Sequence, residues 1–183
     1  MRHSAAAGQA QVATTAYIGI GANLGDPLGQ VNTAIAALAT LAETSLLATS
    51  SAYRSAAIGA LGADSQPDYV NAVACIRILL DPRALLEWLL EIESRHGRFR
   101  SFTNAPRTLD LDLLLFGDRR IDEPGLCVPH PRMHLRRFVL DPLLEIDSNL
   151  SIPGLGPVAR LATATLDQAV ERLGPTRPAA PPS

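Results

Sequence analysis

Between Pro106 and Asp118 the chain reads PRTLDLDLLLFGD, and this segment limits what the rest can be. A short leucine-rich run bounded by Pro and Gly reads as a buried strand, whose successive side chains point to opposite faces. Asp110 and Asp112 then share one face, about 7 Å apart along the strand, while Leu109, Leu111 and Leu113 share the other. An ionised carboxylate withdrawn from water needs a cation or several donors beside it, and a pair needs more. Either a divalent metal or arginine is expected opposite the pair.

Composition narrows the partners. The 183 residues, 47% of them hydrophobic, suffice for one core and one domain. A formal net charge of -2 offers no basic field for nucleic-acid phosphates, so a small-molecule partner is expected and nucleic acid is not. All 16 basic residues are Arg. Without lysine there is no phosphate-loop lysine and no Schiff-base chemistry, so any phosphate must be held by Arg, His, backbone amides or a metal. Cys75 and Cys127 lack metal-site spacing and read as reduced, small apolar side chains. No apolar run approaches the roughly 18 residues that suggest a membrane span. A cytoplasmic protein with no membrane partner is expected.

Residues 1–15, rich in Ala, Gln, Ser and Thr, read as a disordered leader, 16–173 as one domain, and 174–183 as a Pro-rich tail without a fold of its own. Within the domain, 16–21 has strand character, and GANLGDP turns into a helix capped by Asp26 and begun by Pro27. Residues 45–53 and 69–79 read as strands, joined by a long loop expected to act as a lid or substrate wall. Asp81 and Pro82 start a second helix, on which Leu85, Leu86, Trp88, Leu89 and Ile92 form an apolar stripe, so Trp88 is expected in the core. The loop after it carries Arg98, Arg100 and Arg107 directly into the aspartate strand. A structural ion network and a metal with a polyanionic ligand both account for that convergence. Downstream, His130 and His134 are spaced to share a helix face, as are Arg132 and Arg136. A zinc site would need a third ligand and a nearby base, which are not evident; phosphate recognition by His130 and Arg136 is the better reading. The order strand, helix, strand, strand, helix, strand, followed by helical additions, predicts an α+β ferredoxin-like sandwich with both helices on one face of an antiparallel sheet.

Together YIGIGANLGD, SSAYRS, QPDYVNAV, PRTLDLDLLLFGD and VPHPRMHLRRFVLDPL, in that order, resemble the 6-hydroxymethyl-7,8-dihydropterin pyrophosphokinase family of folate biosynthesis. The resemblance implies transfer of the pyrophosphoryl group of ATP to the hydroxymethyl oxygen of the pterin, releasing AMP; a monomer is expected. It implies two magnesium ions on Asp110 and Asp112, with Arg98 and Arg107 counted beside them as catalytic. It places Glu93, Arg98, Arg100, Arg107, His130 and Arg136 against ATP, and Ser55, Ile58, Tyr69, Asn71, Asp110 and Phe138 against the pterin. The chain departs from many members at Asn104-Ala105, where they carry a Trp, and at Ser55, where Thr is common. Two other function classes are alternatives on such a fold: a metal-dependent nucleotidyl transferase, which would use a similar carboxylate pair, and a non-catalytic nucleotide-binding module, which would need no metal and against which the same-face aspartates argue.

Overall fold

A computed structural model of the chain describes residues 12–57, 66–96 and 108–177. Strand β1 (Thr14–Ala22) leads through the glycine turn into helix α1 (Pro27–Ala39). Strands β2 (Thr44–Thr49), β3 (Ser51–Ser55) and β4 (Tyr69–Ile78) follow, then helix α2 (Pro82–Arg95) and strand β5 (Asp110–Phe116). The sheet order is β5-β1-β4-β3, every neighbouring pair antiparallel, with β2 extending the β3 side of β4. This is the expected ferredoxin-like arrangement. Both helix starts are as expected: Asp26 Oδ1 accepts from the Gly29 amide, Asp81 Oδ1 accepts from Arg83 and Ala84, and a proline opens each first turn.

The single strand expected over 45–53 is broken at Ser50. The Ser50 amide bonds the Val73 carbonyl at 2.9 Å while its hydroxyl, rather than its backbone carbonyl, accepts the Val73 amide, also at 2.9 Å. A side chain replaces one rung of the ladder, so the strand bends there without leaving a buried donor unpaired.

Helices α1 and α2 cover one face. Val31, Ala34, Ile35 and Leu38 of α1 and Leu85, Leu89 and Ile92 of α2 bury against Ile18, Ile20, Ile76, Leu111 and Leu113. Burying each large aliphatic side chain contributes about 1.5–3 kcal/mol. Trp88 is not in that core: it is 37% exposed, because its helical position falls on the edge of the stripe centred on Leu85, Leu89 and Ile92.

Among the described residues the other face is half covered. The hairpin of β6 (Ile121–Glu123) and β7 (Leu126–Val128) leads to a 3-10 turn (Met133–Leu135) and helix α3 (Arg137–Ile146). The short β8 (Ser151–Ile152), β9 (Gly156–Pro157) and helix α4 (Val158–Thr163) complete the cover. Met133, Val139, Leu140, Leu143 and Val158 pack there on Tyr17, Val73, Cys75, Leu114 and Leu115. The break between the 3-10 turn and α3 means that the 130–137 stretch is not one helix, so the face-sharing expected of His130 with His134 and of Arg132 with Arg136 does not arise. Cys75 is buried as expected, whereas Cys127 is exposed.

The chain ends differently from expectation. Strand β10 (Val170–Pro175) pairs with β3, so Gly174 and Pro175 belong to the sheet, and Thr14 and Thr15, expected in the leader, pair with Ile78 and Arg77. Arg172 of β10 and Ser51 and Tyr53 of β3 all donate to the Glu145 carboxylate of α3, at 2.7–3.0 Å. Burial alone would raise this carboxyl, but the hydrogen bonds from Arg172, Ser51 and Tyr53 outweigh it and bring the pKa down to about 2. Among the described residues no helix is long and apolar enough to cross a membrane.

Candidate active site

At the end of the second face that the described residues leave open, three strands form a floor. Gly21 of β1 lies between Asn71 of β4 and Asp110 of β5, and Gly19 lies between Val73 and Asp112. Residues in one cross-strand row point to one face. The two aspartates therefore stand beside a strip that carries no side chains. The strip leaves little room: a Cβ at Gly19 would lie 3.3 Å from Leu114 Cδ2, and one at Gly21 would lie 3.3 Å from Asn71 Oδ1. Leu114 reaches this position by alternation from Asp110 and Asp112, and the register shift of β1 on β5 between Tyr17 and Ile18 brings Leu115 onto the same face as Leu114.

Over this floor opens a cleft of about 370 Å³, within the usual range for small-molecule sites. One wall is Ser55, Gln66, Tyr69 and Asn71; the other is His130, Arg132, Leu135, Arg136 and Phe138. Asn71 is 6% exposed and donates its amide protons to Ser55 Oγ at 3.0 Å and Tyr53 O at 3.5 Å. The Arg136 guanidinium lies over the Phe138 ring, 5.6 Å from its centroid. Behind the first wall, the buried Asn23 of the glycine turn donates to Pro67 O at 3.3 Å, tying the turn to the segment that enters β4.

His130 is anchored at two points. Its amide donates to Leu114 O at 2.9 Å, and its Nδ1 accepts the Arg132 amide at 3.2 Å. With Nδ1 an acceptor, the proton of the neutral ring is on Nε2, which lies 3.8 Å from Asp112 Oδ2. Burial pushes the imidazole below its ordinary range, Asp112 opposes the shift, and Arg136 and Arg132 add to it. The ring is thus a neutral donor near pH 7. Arg136 Nη1 stands 3.8 Å from the same carboxylate oxygen.

The structure therefore brings Ser55, Tyr69, Asn71, Asp110, Asp112, His130, Arg136 and Phe138 to one cleft. Ile58, Arg98, Arg100 and Arg107 lie outside the described residues. Glu93 is not on the cleft surface: it is 1% exposed, and its Oε1 accepts the Leu111 amide at 2.7 Å, holding the strand between the two aspartates from the edge of the sheet. Reading the sequence by motif missed the floor itself. The signal was available, since Gly19 and Gly21 repeat at the same two-residue spacing as Asp110 and Asp112. Gln66 and Leu135 were also missed, and neither has a local sequence signal.

Residues 17–148 match the family model for 7,8-dihydro-6-hydroxymethylpterin-pyrophosphokinase. A Haemophilus influenzae 2-amino-4-hydroxy-6-hydroxymethyldihydropteridine pyrophosphokinase is 44% identical over 161 residues, covering 88% of this chain and 99% of the relative. The Pseudomonas aeruginosa protein of the same name is 41% identical over 157 residues, covering 86% and 95%. Among solved structures, wild-type Plasmodium falciparum HPPK-DHPS superposes with a TM-score of 0.66 at 12% identity, a likeness of fold. The match covers 85% of this chain and 45% of that longer one.

Proposed function

From the membership of this chain in the 7,8-dihydro-6-hydroxymethylpterin-pyrophosphokinase family, we propose a division of labour in which Asp110 and Asp112 seat magnesium and residues of the two walls together hold the two substrates. The reaction itself is the family's: the enzyme transfers a pyrophosphoryl group from ATP to the hydroxymethyl group of the dihydropterin, a step of folate biosynthesis. The observation that carries the site assignment is the cross-strand row, which sets Asp110 and Asp112 beside bare glycines and faces them with His130 and Arg136.

The donor set fits magnesium. Two carboxylates on one strand face supply hard oxygen donors, and among the described residues no third His, Cys, Asp or Glu completes a cage. Magnesium takes few protein carboxylates and fills its shell with water and phosphate oxygens. Two ions, bound this way, would supply neutralisation of the polyphosphate charge. The protein's own groups do the rest. His130, fixed as an Nε2–H donor, and Arg136, braced on Phe138, donate to phosphate oxygens, and by motif Arg98, Arg100 and Arg107 also serve ATP. Ser55, Ile58, Tyr69, Asn71 and Phe138 hold the flat pterin with its hydroxymethyl group toward Asp110. Glu93 contributes on the nucleotide side by fixing the Leu111 amide, so that both aspartates keep their spacing. Positioning and electrostatics, rather than a strong base, carry the rate. Both cysteines are free thiols, which suits a reducing cytoplasm.

Product identity tests this reading. ATP, magnesium and the hydroxymethyl dihydropterin should yield AMP together with the pterin diphosphate. Release of pyrophosphate would indicate nucleotidyl transfer, ADP would indicate single phosphoryl transfer, and no turnover would leave a binding module.

A further inference from the structure

Arg136 stands at a joint. It follows the 3-10 turn and precedes α3 with an extended backbone (φ -124°, ψ 104°), and its side chain makes no capping bond to the helix start. The Arg137 amide at that start is one of those an α-helix leaves without an internal partner. Its acceptor comes from far along the chain. Gln168, between α4 and β10, accepts the Arg137 amide on Oε1 at 3.0 Å and donates from Nε2 to the Leu135 carbonyl at 2.8 Å. One side-chain amide thus grips the main chain on both sides of Arg136, in the pattern of a neighbouring antiparallel strand. Arg137 reinforces the grip, its Nη1 donating to the Gln168 carbonyl at 3.1 Å. Two residues further on, Val170 begins β10 opposite Ser55, which lies on the other wall of the cleft.

With the main chain held in this way, the Arg136 guanidinium comes over the Phe138 ring, 5.6 Å from its centroid, and its Nη1 stands 3.8 Å from Asp112 Oδ2. We propose that Gln168 is a positioning residue for pyrophosphoryl transfer: its side-chain amide clamps the main chain on either side of Arg136 and so sets where that guanidinium meets the ATP phosphates. Gln168 does not itself line the cleft, so its effect passes through Arg136. The inference rests on the assignment of Arg136 to ATP above, and it adds a residue that lies beyond the 17–148 stretch matched by the family model.

The test uses the full chain with ATP, magnesium and the hydroxymethyl dihydropterin. Gln168→Leu removes both bonds and should lower kcat/KM for ATP about 10- to 100-fold, the scale on which a displacement of about 1 Å slows a reaction. Gln168→Glu keeps an acceptor for the Arg137 amide but loses the donor to Leu135, and should lower kcat/KM by only about 3- to 10-fold. Both losses should disappear in an Arg136→Ala background, where either Gln168 substitution should change kcat/KM by less than about twofold, because residues that act through one group are not additive. Glu171→Ala cuts the exposed Arg54–Glu171 ion pair of β10 and should leave kcat/KM within about twofold of wild type. A Gln168→Leu variant within about twofold of wild type, or a further loss of more than about twofold on the Arg136→Ala background, overturns the inference alone. If Gln168→Leu does not fold, Gln168→Glu with and without Arg136→Ala decides by the same comparison. An Arg136→Ala variant with wild-type kcat/KM overturns the assignment of Arg136 and the inference together.

Discussion

Two carboxylate sites lie on the same face of this sheet, and they are built to opposite ends. Glu145 receives four hydrogen bonds, from the Ser51 amide and hydroxyl, Tyr53 and Arg172, all at 3.0 Å or less. Among the described residues Asp112 faces one cation and one neutral donor, with Arg136 Nη1 and His130 Nε2 each 3.8 Å from its Oδ2, beyond hydrogen-bond range. The first arrangement fixes α3 to β3 and β10. The second sets an acid, a guanidinium and a neutral ring donor around a cleft. A carboxylate's partners alone do not reveal its job, since both sites pair acid with arginine. Distance and access to the cleft do.

The sharpest way to break this contrast is to remove each carboxylate. Asp112→Ala and Asp110→Ala should each lower kcat/KM for AMP formation by at least about a thousandfold, the scale lost with a principal electrostatic group. Their melting temperatures without magnesium should stay close to that of the wild type, because both side chains line the cleft rather than the core. Glu145→Ala should do the reverse. It leaves Arg172 and Tyr53 without their acceptor and should cost about 2–4 kcal/mol in urea unfolding, with kcat/KM changed by less than about tenfold.

The pH dependence sharpens the same contrast. Because the folded pKa of Glu145 lies near 2, below its ordinary 4.5, its stabilisation is complete above about 4.5 and is lost as pH falls toward 2. The stability gap between wild type and Glu145→Gln, measured in urea at pH 6 and again at pH 3, should therefore narrow at the lower value. The smallest effect is expected from Tyr53→Phe, which removes one of the four bonds to Glu145 and should cost about 1 kcal/mol with turnover nearly unchanged.

Much of the site was legible in the sequence because it is encoded locally. The two-residue spacing of Asp110 and Asp112 fixes their common face, and Asp26-Pro27 and Asp81-Pro82 mark helix starts that the structure reproduces. The ferredoxin-like order followed from the same local periodicities. What stayed hidden depends on partners far along the chain. VERLGP has weak strand character, yet β10 forms because β3 offers it an edge and Glu145 offers Arg172 an acceptor. Trp88 fits a helical stripe by count but falls at its margin, and only the position of the sheet decides which margin is wet. The burial of Gln66 Oε1 is likewise set by tertiary packing around the cleft.

Manganese binding, followed by electron paramagnetic resonance in the presence of a non-transferable ATP analogue, tests the central assignment most directly. Wild type and Glu145→Gln should take up two ions per chain with the nucleotide bound, while the Asp110→Ala/Asp112→Ala double variant should take up none tightly. Retention of wild-type manganese uptake by that double variant would contradict the account.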